Sequence, residues 1–279
     1  MIKTAGTYYC RDRKLIYGKR TLCMGILNVT PDSFSDGGIN SSLDSAMATV
    51  EEMVNAGVDI IDVGGESTRP GYTTISDEEE LSRIVPVISA IRSRFDVIIS
   101  VDTYKSAVAK GALEAGAHII NDITGLMGDE NMASVVADSK AGVILMFNAR
   151  TNGEMNQDIV ERAIAELTVS IDKAHEAGIA DEYIMTDPGI GFGTTREQDM
   201  ALVKNVGKLS FGKYPVLLAG SRKRLVAELM ERQSTPAERD PASIALALAG
   251  ISYGANAIRV HNVKDSVDAF RCYDRLMGE

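Results

Sequence analysis

The sequence predicts an α/β protein: a single (β/α)8 barrel over residues 1–279, with residues 1–20 as a short N-terminal hairpin extension of the same domain. Three observations predict it. Short Val/Ile-rich runs alternate with helix-period segments along most of the chain, which is the signature of repeated parallel βα units. Eight such runs can be read, and 279 residues fit the roughly 250 that one such barrel requires. The first run is followed by a long polar loop rather than a glycine fingerprint opening a helix, which favours a closed barrel over an open sheet built for a dinucleotide.

Taken in order, the segment Tyr8 to Arg20 alternates and contains Tyr17-Gly18, so a hairpin turning there is expected at the barrel floor. The strands are expected at Leu22–Val29, Val58–Val63, Val97–Val101, His118–Asn121, Gly142–Phe147, Tyr183–Thr186, Pro215–Ala219 and Ala257–Val260. Each is apolar on consecutive residues, as strands covered on both faces must be. Between the first two, Leu43, Ala46, Met47, Val50 and Val54 repeat at helical spacing behind a Ser41-Ser42 cap. After the second strand, Ser76 and Glu79 form a capping-box pattern ahead of Leu81, Ile84, Val85 and Ile88. Pro86 lies within that stripe and is expected to kink the helix rather than break it, because the apolar period continues past it to Ile91. Asp240-Pro241 reads as the cap and first residue of an extra helix ahead of the eighth strand.

Composition narrows the function classes. The apolar fraction of 45% and charged fraction of 24% are ordinary for a globular protein. No stretch approaches the roughly 20 apolar residues of a membrane span. The N-terminus lacks an apolar signal core, so a cytoplasmic protein is expected. The cysteines, Cys10, Cys23 and Cys272, are odd in number and far apart, which argues against disulfides and a Cys-rich metal site. A net charge of −10 argues against nucleic acid, and any anionic ligand must be held by a local group of cations.

In this fold chemistry belongs to the carboxyl ends of the strands. The residues there are Asn28, the loop Gly64 to Gly71, Asp102, Asn121, Asn148, Asp187, the Ser221-Arg222-Lys223 turn, and Arg259 with His261. Singly each has a plain structural role: Asp102 and Asn121 could cap helices, Asp187-Pro188-Gly189 is a common turn, and Arg259 could be a solvated strand end. Together they converge as a ligand site would. His118 and His175 lie away from the strand ends and read as structural. The glycines of Gly64-Gly65-Glu66-Ser67-Thr68-Arg69-Pro70-Gly71 allow close backbone approach, and the loop adds a hydroxyl and a guanidinium suited to phosphate. Ser221-Arg222-Lys223-Arg224 opens a helix, where free amides favour anions. A heterocycle carrying phosphate would satisfy both ends of such a site.

These segments resemble the dihydropteroate synthases of the pterin-binding barrel family, and the likeness covers essentially the whole chain. It rests on Gly25 to Gly38, Gly64 to Gly71, Ser100-Val101-Asp102-Thr103, Asn121-Asp122, Asp187 to Gly193 with Phe192, Ser221-Arg222-Lys223 and Arg259-Val260-His261. The resemblance implies condensation of 6-hydroxymethyl-7,8-dihydropterin pyrophosphate with 4-aminobenzoate, by a dissociative route with loop closure, in a homodimeric enzyme that is a sulfonamide target. It implies that Asp102, Asn121, Asp187 and Lys223 bind the pterin. Asn28, Thr68, Arg69, Arg259 and His261 would hold the pyrophosphate, with Asn28 also reaching Mg²⁺. Phe34 and Asp36 of the first loop and Thr68, Arg69 and Pro70 of the second would close over the site and form the aminobenzoate pocket with Ser221. Where many relatives carry Met-His after the fifth strand, this chain reads Met146-Phe147-Asn148, so no histidine role transfers there. A methyltetrahydrofolate-binding methyltransferase would share the pterin carboxylates but has no use for the pyrophosphate set. A non-catalytic pterin binder would have no use for the lid sequences.

Overall fold

The computed structural model describes residues 4–29, 39–66, 73–150 and 158–278. The first two strands, β1 (Gly6–Cys10) and β2 (Arg13–Tyr17), form an antiparallel hairpin. The other eight are β3 (Leu22–Asn28), β4 (Ile60–Gly64), β5 (Ile98–Asp102), β6 (Ile119–Asp122), β7 (Gly142–Met146), β8 (Ile184–Asp187), β9 (Leu217–Leu218) and β10 (Ala257–Val260). All pair in parallel, in the order β8-β7-β6-β5-β4-β3-β10-β9. The two ends of that order meet at a parallel bridge between Thr186 and Val216, where Thr186 N–H donates to the Pro215 carbonyl at 3.1 Å. The sheet thereby closes on itself, as the sequence pattern predicts.

Nine helices are described: α1 (Ile39–Ala56), α2 (Asp77–Arg94), α3 (Ser106–Glu114), α4 (Met132–Ser139), α5 (Ile159–Glu176), α6 (Arg196–Lys204), α7 (Arg224–Leu229), α8 (Asp240–Ser252) and α9 (Val263–Met277). Their apolar faces pack on the outward residues of the strands in one continuous cluster that includes Val63, Val101, Ile120 and Leu145. No helix among the described residues is long and apolar enough to cross a membrane.

Each barrel strand lies where it was expected, with ends shifted by a residue or two and β9 shortened to Leu217–Leu218 from the expected Pro215–Ala219, and three other features differ from the sequence expectation. Ser41 and Ser42 fall within α1, which begins at Ile39, so they are not its cap. Asp240 is the first residue of α8, because a 3₁₀ turn over Ala237–Arg239 already sets the helical direction, and Pro241 sits in the first turn where its missing N–H costs nothing. The hairpin turns at Arg11-Asp12, not at Tyr17-Gly18. Burial explains this: Tyr8, Cys10, Leu15 and Tyr17 all face the barrel floor, and that pairing requires a turn midway between them. Arg11 takes the left-handed conformation the turn needs (φ 58) and its guanidinium donates to the Leu113 and Ala117 carbonyls. Ser76 caps α2 by accepting from Glu79 N–H at 3.2 Å, and α2 runs through Pro86 unbroken.

The barrel interior is layered by the period of two along each strand. At its amino end the hairpin residues meet Met24, Ile60, Ile98, Ile119, Ile144, Met185, Leu217 and Ala257 in a separate apolar cluster. Two residues further along the strands, the same inward positions are Asp62, Ser100, Asn121, Met146, Asp187 and Arg259. Polarity therefore rises from a plugged floor to a hydrogen-bonding rim.

Candidate active site

The rim is set by strand register. Asn28 of β3 lies opposite Gly64 of β4, Gly64 opposite Asp102 of β5, and Asp102 opposite Asn121 of β6. Gly64 contributes no side chain between Asn28 and Asp102: a Cβ there would stand 3.5 Å from Asn28 Oδ1 and 3.8 Å from Asp102 Cβ. Asn28 is exposed at this opening.

Beneath the rim Arg259 spans the barrel. Its Nε donates to Asp62 Oδ2 at 2.7 Å and its Nη2 to Asp102 Oδ2 at 2.8 Å. Asn121 Nδ2 also reaches Asp62 Oδ2, at 3.3 Å. Asp102 and Asn121 are thus members of an interior network, and neither caps a helix: α3 has Lys105 at its cap position and no side-chain cap bond. Asp62 is fully buried and was not among the residues predicted from the sequence. Its signal was present, because an acid in a strand otherwise reading Ile60-Ile61-Val63 is not tolerated there without a partner.

Two carboxylate oxygens in this network, Asp62 Oδ1 and Asp102 Oδ1, are buried without a hydrogen-bond partner, as is the Ser100 hydroxyl. Buried acceptors of this kind are rare unless a ligand supplies the donor. Burial, with Asp62 and Glu80 adding negative potential, pushes the Asp102 carboxyl up to about 7, against the opposing pull of Arg259 and Lys223. Asp187, also buried, is raised by burial and lowered in part by Lys223. One of its oxygens accepts from Gly189 N–H at 2.7 Å, so it does stabilise the turn that follows β8.

Lys223 comes from the turn after β9. Its Nζ donates to the Ile190 carbonyl at 2.6 Å and stands 4.7 Å from the Phe192 ring centroid, with Arg150 on the same ring at 5.0 Å. Burial lowers its ammonium to about 8, with Asp187 opposing the shift. The helix that opens here, α7, has six residues, too few for a strong terminal dipole to act on an anion. Ser221 Oγ lies 3.0 Å from His261 Nδ1, joining the ends of β9 and β10.

Most predicted site residues therefore meet at one end of the barrel: Asn28, Asp102, Asn121, Asp187, Phe192, Ser221, Lys223, Arg259 and His261. Asp102, expected to bind the pterin, and Arg259, expected to hold the pyrophosphate, are in direct contact. Phe34, Asp36, Thr68, Arg69 and Pro70 lie outside the described residues. Glu66, at the edge of that second loop, is held by Lys105 Nζ at 2.7 Å and Tyr104 OH at 2.8 Å. Asn148 donates to the Ile123 carbonyl at 3.0 Å and accepts from Arg150 N–H at 3.1 Å, tying the loop after β7 to that after β6. His118 and His175 are remote, as expected: His118 Nδ1 accepts from Ile99 N–H at 3.0 Å, and His175 pairs with Asp181 at 2.8 Å.

A closed parallel barrel with buried acids, an amide, a lysine and a guanidinium gathered at the carboxyl ends of its strands defines an enzyme for a small polar ligand. Residues 24–261 match the family of pterin binding enzymes. The dihydropteroate synthase of Staphylococcus haemolyticus is 46% identical over 257 residues, covering 92% of this chain and 95% of that protein. The Xanthomonas albilineans dihydropteroate synthase solved with 4-aminobenzoic acid superposes with a TM-score of 0.92 at 36% identity, covering 99% of this chain and 100% of the other. The same enzyme in complex with 7,8-dihydropteroate gives 0.88 at 34% identity, covering 98% and 100%. The chain belongs to the pterin-binding enzyme family and, within it, to the dihydropteroate synthases, which are transferases.

Proposed function

We propose that the protein condenses 6-hydroxymethyl-7,8-dihydropterin pyrophosphate with 4-aminobenzoate, giving 7,8-dihydropteroate and pyrophosphate, and that the C–O bond to pyrophosphate breaks before the C–N bond forms. The observation that carries this reading is the pair of unpartnered buried acceptors, Asp62 Oδ1 and Asp102 Oδ1, beside Asn121, Asp187 and Lys223. An aminopyrimidinone ring offers adjacent N–H donors for such carboxylates and a carbonyl for an ammonium. The electron pair of the breaking C–O bond leaves with pyrophosphate. The exocyclic carbon is left electron-poor, close to carboxylates already fixed in place, and preorganised negative charge stabilises such a cation without reorganisation. The aniline nitrogen then supplies its lone pair to form the C–N bond and releases a proton.

Asn28 and His261, with Thr68 and Arg69, would hold the departing pyrophosphate. Arg259 contributes positive charge at the junction between that group and the pterin acids. Asn28 suits Mg²⁺, which takes oxygen ligands and fills most positions from phosphate and water. Asn28 is exposed, its Oδ1 borders the Gly64 gap, and no cluster of three acidic, His or Cys residues among the described residues offers an all-protein cage. Bound there, the ion would neutralise leaving-group charge.

The test is a mixture of purified protein, Mg²⁺, the pterin pyrophosphate and 4-aminobenzoate, followed by chromatography. Equimolar dihydropteroate and pyrophosphate are expected. Pyrophosphate release with no dihydropteroate would refute the condensation. A burst of pyrophosphate without 4-aminobenzoate, trapped by water, would support the order of bond breaking.

A further inference from the structure

Arg222 stands between two residues of the site and takes no part in it. Its φ of 58 is in the left-handed region that non-glycine residues enter rarely. Four bonds hold it there, and all come from α8 or the residue just before it. Its Nε donates to Asp240 Oδ1 at 2.6 Å and its Nη2 to Asp240 Oδ2 at 2.8 Å, a bidentate pair that fixes direction as well as distance. Its backbone N–H donates to Ser243 Oγ at 2.9 Å, and its carbonyl accepts from Arg239 Nη1 at 3.0 Å. Ser243 Oγ is itself oriented by donating to the Arg239 carbonyl at 2.7 Å. The preceding Gly220 lies flat on the same helix: a Cβ there would come within 2.6 Å of Leu246 Cδ2.

The conformation of Arg222 decides where its neighbours go. With this φ, Ser221 reaches His261 at 3.0 Å while Lys223 reaches the Ile190 carbonyl at 2.6 Å and the face of Phe192. Relaxing Arg222 to an ordinary φ rotates the peptides on either side of it and pulls at least one of these side chains away. Strained backbone persists at a functional site when surrounding structure over-determines it, and here the four bonds to α8 do so.

We propose that Arg222 and Asp240 are positioning residues, a clamp through which the first turn of α8 fixes the turn that presents Lys223 to the pterin and Ser221 to the aminobenzoate. The inference rests on the function proposed above.

The test uses Asp240→Asn, which keeps the shape of the partner and removes its charge, and Asp240→Glu, which restores the charge on a longer stem. Pterin binding is read by the fluorescence of 6-hydroxymethylpterin, which no tryptophan obscures because the chain has none. Asp240→Asn is expected to weaken pterin binding and raise the KM for 4-aminobenzoate, lowering kcat/KM by about tenfold or more, since small misplacements of positioning groups cost that much. Asp240→Glu should recover most of the loss, and the folded fraction at assay temperature should be unchanged in both. Ser243→Ala, which removes the acceptor of the Arg222 N–H together with its own bond to the Arg239 carbonyl and leaves the Arg222–Asp240 pair in place, should move the same constants in the same direction by about threefold. Unchanged constants in Asp240→Asn and Ser243→Ala, or losses that merely track unfolding, would overturn the clamp. Lys223→Ala separates the two readings. If it binds pterin as the wild type does, the site assignment fails; if it loses pterin while Asp240→Asn does not, only the clamp fails.

Discussion

Replacing Arg259 with methionine tests the network at the heart of the barrel. Arg259 is only 15% exposed, Asp62 not at all and Asp102 13%, and one guanidinium joins both acids. The substitution keeps an apolar stem of similar length and strands two carboxylates that already lack donors on their second oxygens. Breaking a buried pair from one side costs about 3–5 kcal/mol, because the partner charge is left uncompensated. For a chain of this size that is a fall in thermal midpoint on the order of 10 °C. The pH dependence gives the sharper check. Asp102 has a folded pKa raised to about 7, so its contribution to stability is fully present below its unfolded pKa and is lost as pH rises through 7. Arg259 opposes that rise, and without it the ionised form is disfavoured further. The gap between wild type and Arg259→Met should therefore widen from about pH 5 to about pH 8 in urea titrations. A gap of constant size, or one that closes with rising pH, would show that Arg259 does not compensate these acids. The double variant Asp62→Asn, Arg259→Met should recover part of the loss by removing one stranded charge.

Lys223→Ala should reduce kcat/KM by on the order of a hundredfold while moving the denaturant midpoint little, because Lys223 is half-buried and its Nζ is bonded to one carbonyl. In the wild type the charged form of Lys223 is lost as pH rises through about 8, so the alkaline limb of kcat/KM should fall there. His118, pushed down to about 4 mainly by burial, contributes stability that is complete above its ordinary value and is lost as pH falls toward 4. That contribution is about 3 kcal/mol, and His118→Asn should flatten the urea midpoint across the window. Tyr8 is fully buried with its ring against Gly142, where a Cβ would meet the phenol oxygen at 2.4 Å. Tyr8→Ala should cost about 3–5 kcal/mol yet leave kcat unchanged, as the hairpin plugs the opposite end of the barrel; a fall in kcat in fully folded protein would contradict that separation.

The eight barrel strands were legible because burial on both faces demands continuous apolar runs, and several of those runs ended in a residue that burial alone does not want. Asn28, Asp102, Asn121, Asp187 and Arg259 were found in that way. Asp62 escaped because it lies inside a strand, where the run of neighbours reads as uniformly apolar. The period of two recovers it: Ile60 faces the barrel floor, so Asp62 and Gly64 must face the interior and rim. The partnership of Arg259 with Asp62 joins residues 197 positions apart, and no local pattern specifies it. The hairpin turn was misplaced for a different reason. Tyr17-Gly18 does carry a left-handed glycine (φ 89), but the glycine redirects the chain toward β3, and the turn between the strands is made by Arg11 against the usual preference.

Burial and the charges at the rim together explain why its acids are perturbed and what they await. Asp62, Asp102 and Asp187 face the cations Arg259 and Lys223, so with every group ionised the interior carries one net negative charge. Water cannot screen it there, since Asp62 and Asp187 are almost wholly buried. Burial raises the acids toward their neutral forms, Asp102 to about 7 and Asp187 in the same direction, and the neighbouring Asp62 adds to the rise in both. A ligand that brings N–H donors relieves the excess negative charge, and one that develops positive charge during reaction relieves it best. In the reaction proposed above, binding and bond breaking would draw on the same electrostatic imbalance, because an interior held short of a cation favours a state in which the substrate has become one.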